Sequence, residues 1–326
     1  MCFKKSALFS VRGNARERLC FGVMKMLILK VALYFSTHSF ARRCVSTAFL
    51  FALLFCVVYF GKEYGAVALA TIVSTLALYE FYKLAAHFGG KPRTAFGLVA
   101  GTLLVPFLFY SAQKGQVADE SIYVLLALSG AVFLFGIFLM ATKKIPAWTK
   151  ALSTVFGLIY IPLAVGFYAL LAGMHGFNGV LFCVWIVLAA KFTDIGGLVI
   201  GCRFGKHKLA PVVSPKKTWE GVAGGIVFSM VGSAALIWAF NEFGAWEVDA
   251  KMLLGGGFSP LQAALCAIPV AATSVVSDLI ESAFKRQAGD KDSGATIPGI
   301  GGAFDLLDSL IFTAPVGFLL VEKVIL

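Results

Sequence analysis

The sequence has little charge for its size. Only 14% of its 326 residues are charged, while 59% are hydrophobic. A soluble domain could not bury that much apolar surface, so the composition excludes a soluble protein. The alternating pattern of an outer-membrane β-barrel is also absent. The apolar stretches instead run for about 17–22 residues, the length with which a helix crosses a bilayer. We therefore predict an all-α, polytopic integral membrane protein.

Other absences narrow the function. The seven cysteines form no CxxC pair, which excludes the usual zinc site. There is no GxxxxGK[ST] loop and no kinase catalytic loop. The net charge is +11, but the basic residues lie in short loops beside apolar stretches. Lipid headgroups and membrane topology explain such charge better than nucleic acid does, and an anionic substrate would also benefit from it.

Nine apolar spans are predicted. They cover residues 44–61, 64–82, 95–113, 121–141, 151–172, 178–200, 219–240, 260–280 and 302–323. Lysine and arginine are concentrated before the first span and in the loops after spans two, four, six and eight. The positive-inside rule therefore predicts a cytoplasmic N-terminus and an outward C-terminus. The loops after spans six and eight, which carry the sequence motifs described below, then face the cytoplasm, where nucleotides are available.

The chain is predicted to have one membrane domain, residues 44–326, after a basic N-terminal extension, residues 1–43. The stretch Phe21–Ser36 is apolar but interrupted by Lys25 and Lys30, and we interpret it as an interfacial amphipathic helix. A signal peptide is disfavoured because no small-residue cleavage site follows. Alternatively, Met24 or Met26 is the true start and the extension is an artefact.

The first candidate for a functional site is the segment 191–221, which begins inside the sixth span and continues into the loop after it. Asp194 lies in an otherwise apolar span, where a carboxylate needs a partner or water. Lys191 is one helical turn away and offers a purely structural ion pair; a polar binding site is the alternative.

The "SPKKTWEG" motif lies in the same segment. Ser214 is one candidate cap of the following helix, and Thr218 is the other. Either way, Lys216 and Lys217 lie beside a helix N-terminus, where two cations are favourable if an anion binds between them. The alternative is that these lysines contact lipid headgroups.

The second candidate surrounds the loop after span eight. Asp278 and Glu281 lie one turn apart before it, and Asp305 and Asp308 lie one turn apart after it. Glycines including Gly301 and Gly302 would allow the backbone to approach a ligand. Four acids converging at one membrane face would repel one another without cations, and oxygen ligands of this kind suit Mg²⁺, which also bridges phosphates. A metal–phosphate site is favoured over a pure ion-pair network.

These residues resemble the signature of the phosphatidate cytidylyltransferases, also called CDP-diacylglycerol synthases. The pattern runs Ser282-x-Phe284-Lys285-Arg286-x4-Lys291-Asp292-x-Gly294-x2-Ile297-Pro298, then Gly301-Gly302-x2-Asp305 and Asp308. "SPKKTWEG" after "FGKHKLAP" is similar as well. The resemblance covers about residues 42–326 and is most specific in 191–221 and 277–310.

The resemblance implies synthesis of CDP-diacylglycerol from CTP and phosphatidic acid in a bacterial inner membrane. It also implies Mg²⁺ dependence, a potassium ion beside the Mg²⁺, and a homodimer. The implied catalytic set is Asp278, Lys291, Asp292, Asp305 and Asp308, with Asp278, Asp305 and Asp308 at the metal. The predicted substrate-binding set is Asp194, Ser214, Lys216, Lys217, Lys285, Arg286, Gly301 and Gly302. We predict membrane lipids as partners and no nucleic acid.

Two positions depart from the family pattern. Ile300 stands where a histidine is usual, and Leu306 stands where an arginine is usual. Both replacements are apolar, so any role that requires an imidazole or a guanidinium there is excluded for this chain. The carboxylates of the motif are all retained.

Two rival functions remain open at this point. One is another CTP-dependent lipid enzyme, such as a polyprenol kinase or an archaeal-type lipid cytidylyltransferase. The other is an ion-coupled transporter whose acids bind cations in transit. The clustering of polar loops on one side argues against the transporter.

Overall fold

The computed structural model describes residues 39–87, 90–142, 150–244, 258–289, 293–294 and 301–325. This part of the chain is almost entirely helical. The elements are α1 (Ser39–His87), α2 (Thr94–Gln113), α3 (Asp119–Thr142), α4 (Lys150–Leu158), a π-helical turn (Ile159–Leu163), α5 (Ala164–Phe204), β1 (Lys208–Ala210), β2 (Ser214–Thr218), α6 (Trp219–Glu242), α7 (Pro260–Ala288), α8 (Ala303–Leu307), α9 (Thr313–Leu320) and a second π-helical turn (Val321–Ile325). Residues 1–38, to which most of the predicted extension belongs, lie outside the described ranges.

Seven helical stretches within these ranges are long and apolar enough to cross a membrane. They are Ala52–His87, Thr94–Gln113, Asp119–Met140, Lys150–Gly176, Asn178–Phe204, Trp219–Glu242 and Pro260–Ala288. Many large apolar side chains on them are exposed, among them Phe55, Leu103 and Val231, as expected where lipid replaces water. The predicted class, a polytopic α-helical membrane protein, is confirmed.

Two of the long helices contain a backbone break. Lys62 has φ 46° and ψ −135° inside α1, and Gly176 has φ 55° and ψ −134° inside α5. At Gly176 the chain turns back on itself. This is shown by the Cys183 thiol, which donates a hydrogen bond to the Tyr168 carbonyl over 3.4 Å. A continuous helix would place those two residues roughly 22 Å apart. The two breaks fall in the predicted gaps between spans one and two and between spans five and six.

The predicted span 302–323 is not one regular helix. It forms α8 and α9, separated by turns over residues 308–312. The Asp308 carbonyl there accepts a hydrogen bond from the Ser277 hydroxyl of α7, so a neighbouring helix satisfies a backbone group at the interruption. Leu310, Ile311 and Phe312 in the turns are buried, and they anchor the irregular backbone in the protein interior.

An aromatic cluster lies directly beneath the irregular segment. The Phe81 ring of α1 lies 5.9 Å from the Phe284 ring and 5.8 Å from the Phe304 ring, measured between centroids. Tyr160 of the π-helical turn contacts the same two rings. Offset and edge-on aromatic pairs contribute stabilisation beyond the area that they bury. Phe284 immediately precedes Lys285, and Phe304 immediately precedes Asp305, so this packing fixes the backbone from which both polar side chains project.

Helices α5 and α6 approach at backbone distance. A Cβ atom added to Gly225 would lie 2.7 Å from the Thr193 carbonyl oxygen, and one added to Gly221 would lie 3.0 Å from the Gly197 carbonyl oxygen. Small residues allow this close packing, which drives helix association where lipid surrounds the helices. The same approach brings β2, which carries Lys216 and Lys217 and leads into α6, close to α5.

Candidate functional site

Three carboxylates converge at one end of the helices. Asp278 and Glu281 project from α7 one turn apart, and Asp308 follows α8. One oxygen from each side chain lies within 4.8 Å of the others. Glu281 is fully buried, and its Oε1 atom has no hydrogen-bond partner in the described part of the chain. An unpartnered buried carboxylate oxygen facing two further acids fits a divalent cation, which takes oxygen ligands of this type.

Each of the three acids is paired with a lysine. Lys217 Nζ of β2 lies 2.5 Å from Asp278 Oδ2, and Lys285 Nζ of α7 lies 2.7 Å from Glu281 Oε2. Lys191 Nζ of α5 is farther away, 3.8 Å from Asp308 Oδ1. The three lysines come from separate positions in the chain, so the fold assembles a ring of cations around the acids. Such a ring compensates their charge and can also attract phosphate groups.

Lys191 makes more contacts than an ion pair with Asp194 alone. Its Nζ donates to Ser309 Oγ over 2.8 Å and lies 3.4 Å from Asp194 Oδ2. Ser309 Oγ in turn donates to Asp194 Oδ2 over 3.2 Å. The predicted Lys191–Asp194 pair is therefore present, and the same lysine also reaches Asp308. Asp194 consequently belongs to the outer part of the carboxylate site.

Lys285, which contacts Glu281, also joins the three-acid group to Asp305. Asp305 Oδ1 accepts from Lys285 Nζ over 2.9 Å, and Asp305 Oδ2 accepts from the Gly302 N–H over 2.7 Å. The Ser293 N–H also donates to this carboxylate. The Asp305 carboxylate thereby holds the start of α8. Gly301, just before that start, has a φ of 125°, a conformation that favours glycine. The assignment of Asp305 to the metal stays a prediction.

The "SPKKTWEG" motif forms a strand followed by a helix start. Ser214–Thr218 is β2, paired antiparallel with β1. Thr218 is the N-cap of α6, because its hydroxyl accepts from the Gly221 N–H over 3.2 Å. The Thr218 alternative is correct, and the Ser214 cap is wrong because that residue lies in the extended strand. Lys217 points to Asp278, whereas Lys216 is exposed.

The remaining predicted residues of this region are Arg286, Lys291 and Asp292. Arg286 Nε lies 3.5 Å from the Val213 carbonyl oxygen, so the end of α7 contacts the β hairpin. Lys291 and Asp292 lie outside the described residues, as does Ile300 of the family departures. Their roles stay predictions.

Sequence reasoning missed Glu80, a buried acid near the end of α1. Its Oε2 atom accepts from the Phe304 N–H over 2.8 Å and from Ser293 Oγ over 3.2 Å. The available signal was an ionisable residue inside a predicted apolar span, which marks a functional position more often than not.

An apolar cavity of about 380 Å³ leads to the site. Its walls come from both helical segments of α1, from α5, from α8 and from the turn after α8, and Val67, Ala169 and Leu310 are among the lining residues. Lys191 and Asp305 are its charged lining residues. Leu306, which stands at one of the two family departures, lines the cavity as well.

Fold and site together define a polytopic α-helical membrane protein with a carboxylate–lysine centre and an adjoining apolar cavity. The chain belongs to the cytidylyltransferase family, whose model matches residues 41–324.

The chain is similar to bacterial proteins named phosphatidate cytidylyltransferase. The protein from Haemophilus influenzae is 31% identical over 292 residues, which cover 84% of this chain and 96% of the relative. The protein from Pseudomonas aeruginosa is 32% identical over 75% of this chain and 83% of its own. The protein from Mycobacterium bovis is 37% identical over 162 residues, 50% of this chain and 47% of its own. The chain thus spans about half the length of the mycobacterial relatives that it matches.

Proposed function

We propose that this protein transfers the cytidylyl group of CTP to phosphatidic acid, giving CDP-diacylglycerol and pyrophosphate. The observation that carries the proposal is the junction between the apolar cavity and the carboxylate–lysine centre at Lys191. A reaction between a charged nucleotide and a lipid requires both environments to meet at one point. The names of the relatives support the same substrates.

The reaction requires positioning more than proton transfer. A phosphate oxygen of phosphatidic acid forms a bond to the α-phosphorus of CTP while the bond from that phosphorus to the bridging oxygen of the β-phosphate breaks. The attacking oxygen is already ionised near neutral pH, so the site needs no strong general base. Holding the reactants in line and compensating their charge then account for most of the rate enhancement.

We assign the metal position to Asp278 and Asp308, with Glu281 as the buried third carboxylate. Mg²⁺ bound there would neutralise charge on the polyphosphate. Asp305 remains a predicted ligand, and a potassium ion beside the Mg²⁺ remains an expectation from the family resemblance. The carboxylates themselves hold the lysines at fixed positions, as the 2.5 Å contact between Lys217 and Asp278 illustrates.

The lysines divide between the two substrates. Lys191 lines the cavity, so we assign it to the phosphate of the lipid. Lys217 and Lys216 belong to the β hairpin outside the helices, and we assign them, with Lys285, to the phosphates of CTP. Arg286, Lys291 and Asp292 complete the proposed nucleotide side.

We further propose nine spans, a cytoplasmic site and an outward C-terminus in a bacterial inner membrane, together with a homodimer. Described contacts support the alternation of the spans. Near the site, Tyr82 donates to the Thr154 carbonyl and Glu80 contacts Phe304. At the other end, His175 contacts Glu322. These two sets of contacts lie at opposite ends of the helices, which supports an antiparallel order of the spans involved.

A substrate panel tests the proposal. Purified full-length protein in nanodiscs is supplied with Mg²⁺ and CTP, and with phosphatidic acid, a polyprenol or an archaeal-type ether-lipid phosphate in parallel. We expect CDP-diacylglycerol and pyrophosphate in equal amounts from phosphatidic acid. Phosphorylated polyprenol or a CDP-activated ether lipid as the main product would replace the proposal by the corresponding enzyme. Cation flux in proteoliposomes without CTP turnover would replace it by a transporter.

A further inference from the structure

Glu80 is a carboxylate inside the protein, with only 3% of the residue exposed. It lies near the end of α1, a mostly apolar helix, and 224 positions before Phe304, whose N–H it accepts. We propose that Glu80 is a positioning residue that holds α8, and thereby Asp305 and Asp308, in the geometry that the carboxylate centre requires. This inference rests on the proposed function only for its activity readout.

The first argument concerns the start of α8. The N-cap position is Gly302, which has no side chain to accept a hydrogen bond from the first turn. Glu80 Oε2, which belongs to α1, caps the first turn of α8 instead, since it accepts a hydrogen bond from the Phe304 N–H over 2.8 Å. A helix start buried without an acceptor would be unfavourable. A carboxylate is the strongest acceptor available for this purpose.

The second argument concerns Ser293. Its hydroxyl donates to Glu80 Oε2 over 3.2 Å, and its N–H donates to the Asp305 carboxylate over 3.2 Å. Glu80 and Asp305 therefore hold the same residue from two sides. A shift of Glu80 would be transmitted to Asp305 through Ser293 as well as through α8.

The third argument comes from two glycines of the motif. A Cβ atom on Gly302 would overlap Glu80 Oε2, and one on Gly294 would lie 2.5 Å from Glu80 Oε1. Gly302 has φ −86° and ψ 168°, a conformation that any L-residue adopts. Its glycine is therefore explained by the space that the Glu80 carboxylate and the Ser293 hydroxyl occupy, since a Cβ atom there would also overlap Ser293 Oγ.

The central experiment compares Glu80→Gln with Glu63→Gln, a matched change in the same helix at the opposite end of the protein. Two quantities are measured for each full-length variant: the steady-state constants of cytidylyl transfer, and the rise in melting temperature on adding Mg²⁺. The amide of glutamine keeps the shape but replaces one acceptor oxygen by a donor. We expect the Glu80 variant to lose about 10–100-fold in kcat and to need more Mg²⁺. Substitutions of residues that orient metal ligands have effects of this size. The Glu63 variant should match the parent.

A double-mutant cycle tests the steric part. Gly302→Ala alone should reduce activity, whereas adding it to Glu80→Ala should cost less than about threefold. One of the two overlapping oxygens is then gone, and the other, Ser293 Oγ, has lost its Glu80 acceptor and can turn away. Additive losses would overturn the contact as the cause of the glycine requirement.

The proposed role is overturned if Glu80→Gln lowers only the melting temperature and leaves kcat and the Mg²⁺ requirement at parent values. The Mg²⁺-dependent melting shift does not depend on turnover. If the parent fails to form CDP-diacylglycerol, the proposed function fails, and the melting shift still decides whether Glu80 supports the metal site.

Discussion

Replacing Lys191 by methionine tests the assignment of this lysine to the lipid phosphate. The change removes the ammonium group that contacts Ser309 Oγ at 2.8 Å and Asp308 Oδ1 at 3.8 Å, while the side chain stays long and flexible. A hydrogen bond to a charged group is worth about 1.5–3 kcal/mol. Because 23% of the Lys191 side chain is exposed, we expect the lower end, which corresponds to roughly tenfold in kcat/KM.

The Lys191→Met change also has an expected effect on the Mg²⁺ requirement. Lys191 competes with a cation for Asp308, so its removal should leave the Mg²⁺ requirement unchanged or lower. The assay measures CDP-diacylglycerol formation against phosphatidic acid at saturating CTP, then against CTP at saturating lipid. We expect the loss in kcat/KM for the lipid, with the KM for CTP close to that of the parent. Lys83→Met, an exposed lysine of the same protein, serves as the control.

Two results would refute this reasoning. A loss smaller than about threefold for the lipid would mean that no charge-assisted bond to substrate was removed. An equal loss for both substrates, accompanied by a lower melting temperature, would reduce Lys191 to a structural partner of Asp194 and Asp308.

Three further changes have definite expected outcomes. A reporter fused after Leu326 should be periplasmic and one inserted between Ala210 and Val213 cytoplasmic, and both on one side would exclude nine spans. Lys217→Ala should raise the KM for CTP more than that for lipid, because CTP carries the greater charge density; an unchanged KM for CTP would favour the headgroup interpretation. Leu306→Arg, which restores the usual family residue, should leave activity unchanged or lower, since it puts a guanidinium into an apolar cavity; a large gain in turnover would show that the chain is a weakened family member.

Local patterns in the sequence were sufficient for several features. Long apolar stretches predicted the membrane class, and the gaps between them predicted the breaks at Lys62 and Gly176. The spacing of Asp278 and Glu281, one turn apart on a helix, predicted that both face one site. The lysine-rich motif before α6 and the acids were predicted on the same side of the membrane, and Lys217 contacts Asp278; of the two candidate caps, Thr218 is correct and Ser214 is wrong.

The remaining features depend on contacts between distant segments. Glu80 reaches Phe304 only because α1 and α8 pack together through Phe81 and Phe304, and no local pattern indicates that packing. Asp305 was grouped with the other acids from its spacing in the sequence, and its carboxylate contacts Lys285, which also contacts Glu281; its place at the metal stays a prediction. An alternating or periodic pattern identifies the face of an element, whereas the partner of that face follows from tertiary packing.

The central claim is that Asp278 and Asp308 form the metal–phosphate centre of a cytidylyltransferase. The most direct measurement is CDP-diacylglycerol formation from CTP and phosphatidic acid as a function of Mg²⁺, for the parent and for Asp278→Asn and Asp308→Asn. These changes keep side-chain size and remove one charge from a group whose ligand atoms lie within 4.8 Å. We predict that the parent forms product only with Mg²⁺ and that both variants, folded and purified in equal yield, form none. Near-parental turnover with an unchanged Mg²⁺ response in both variants would contradict the account.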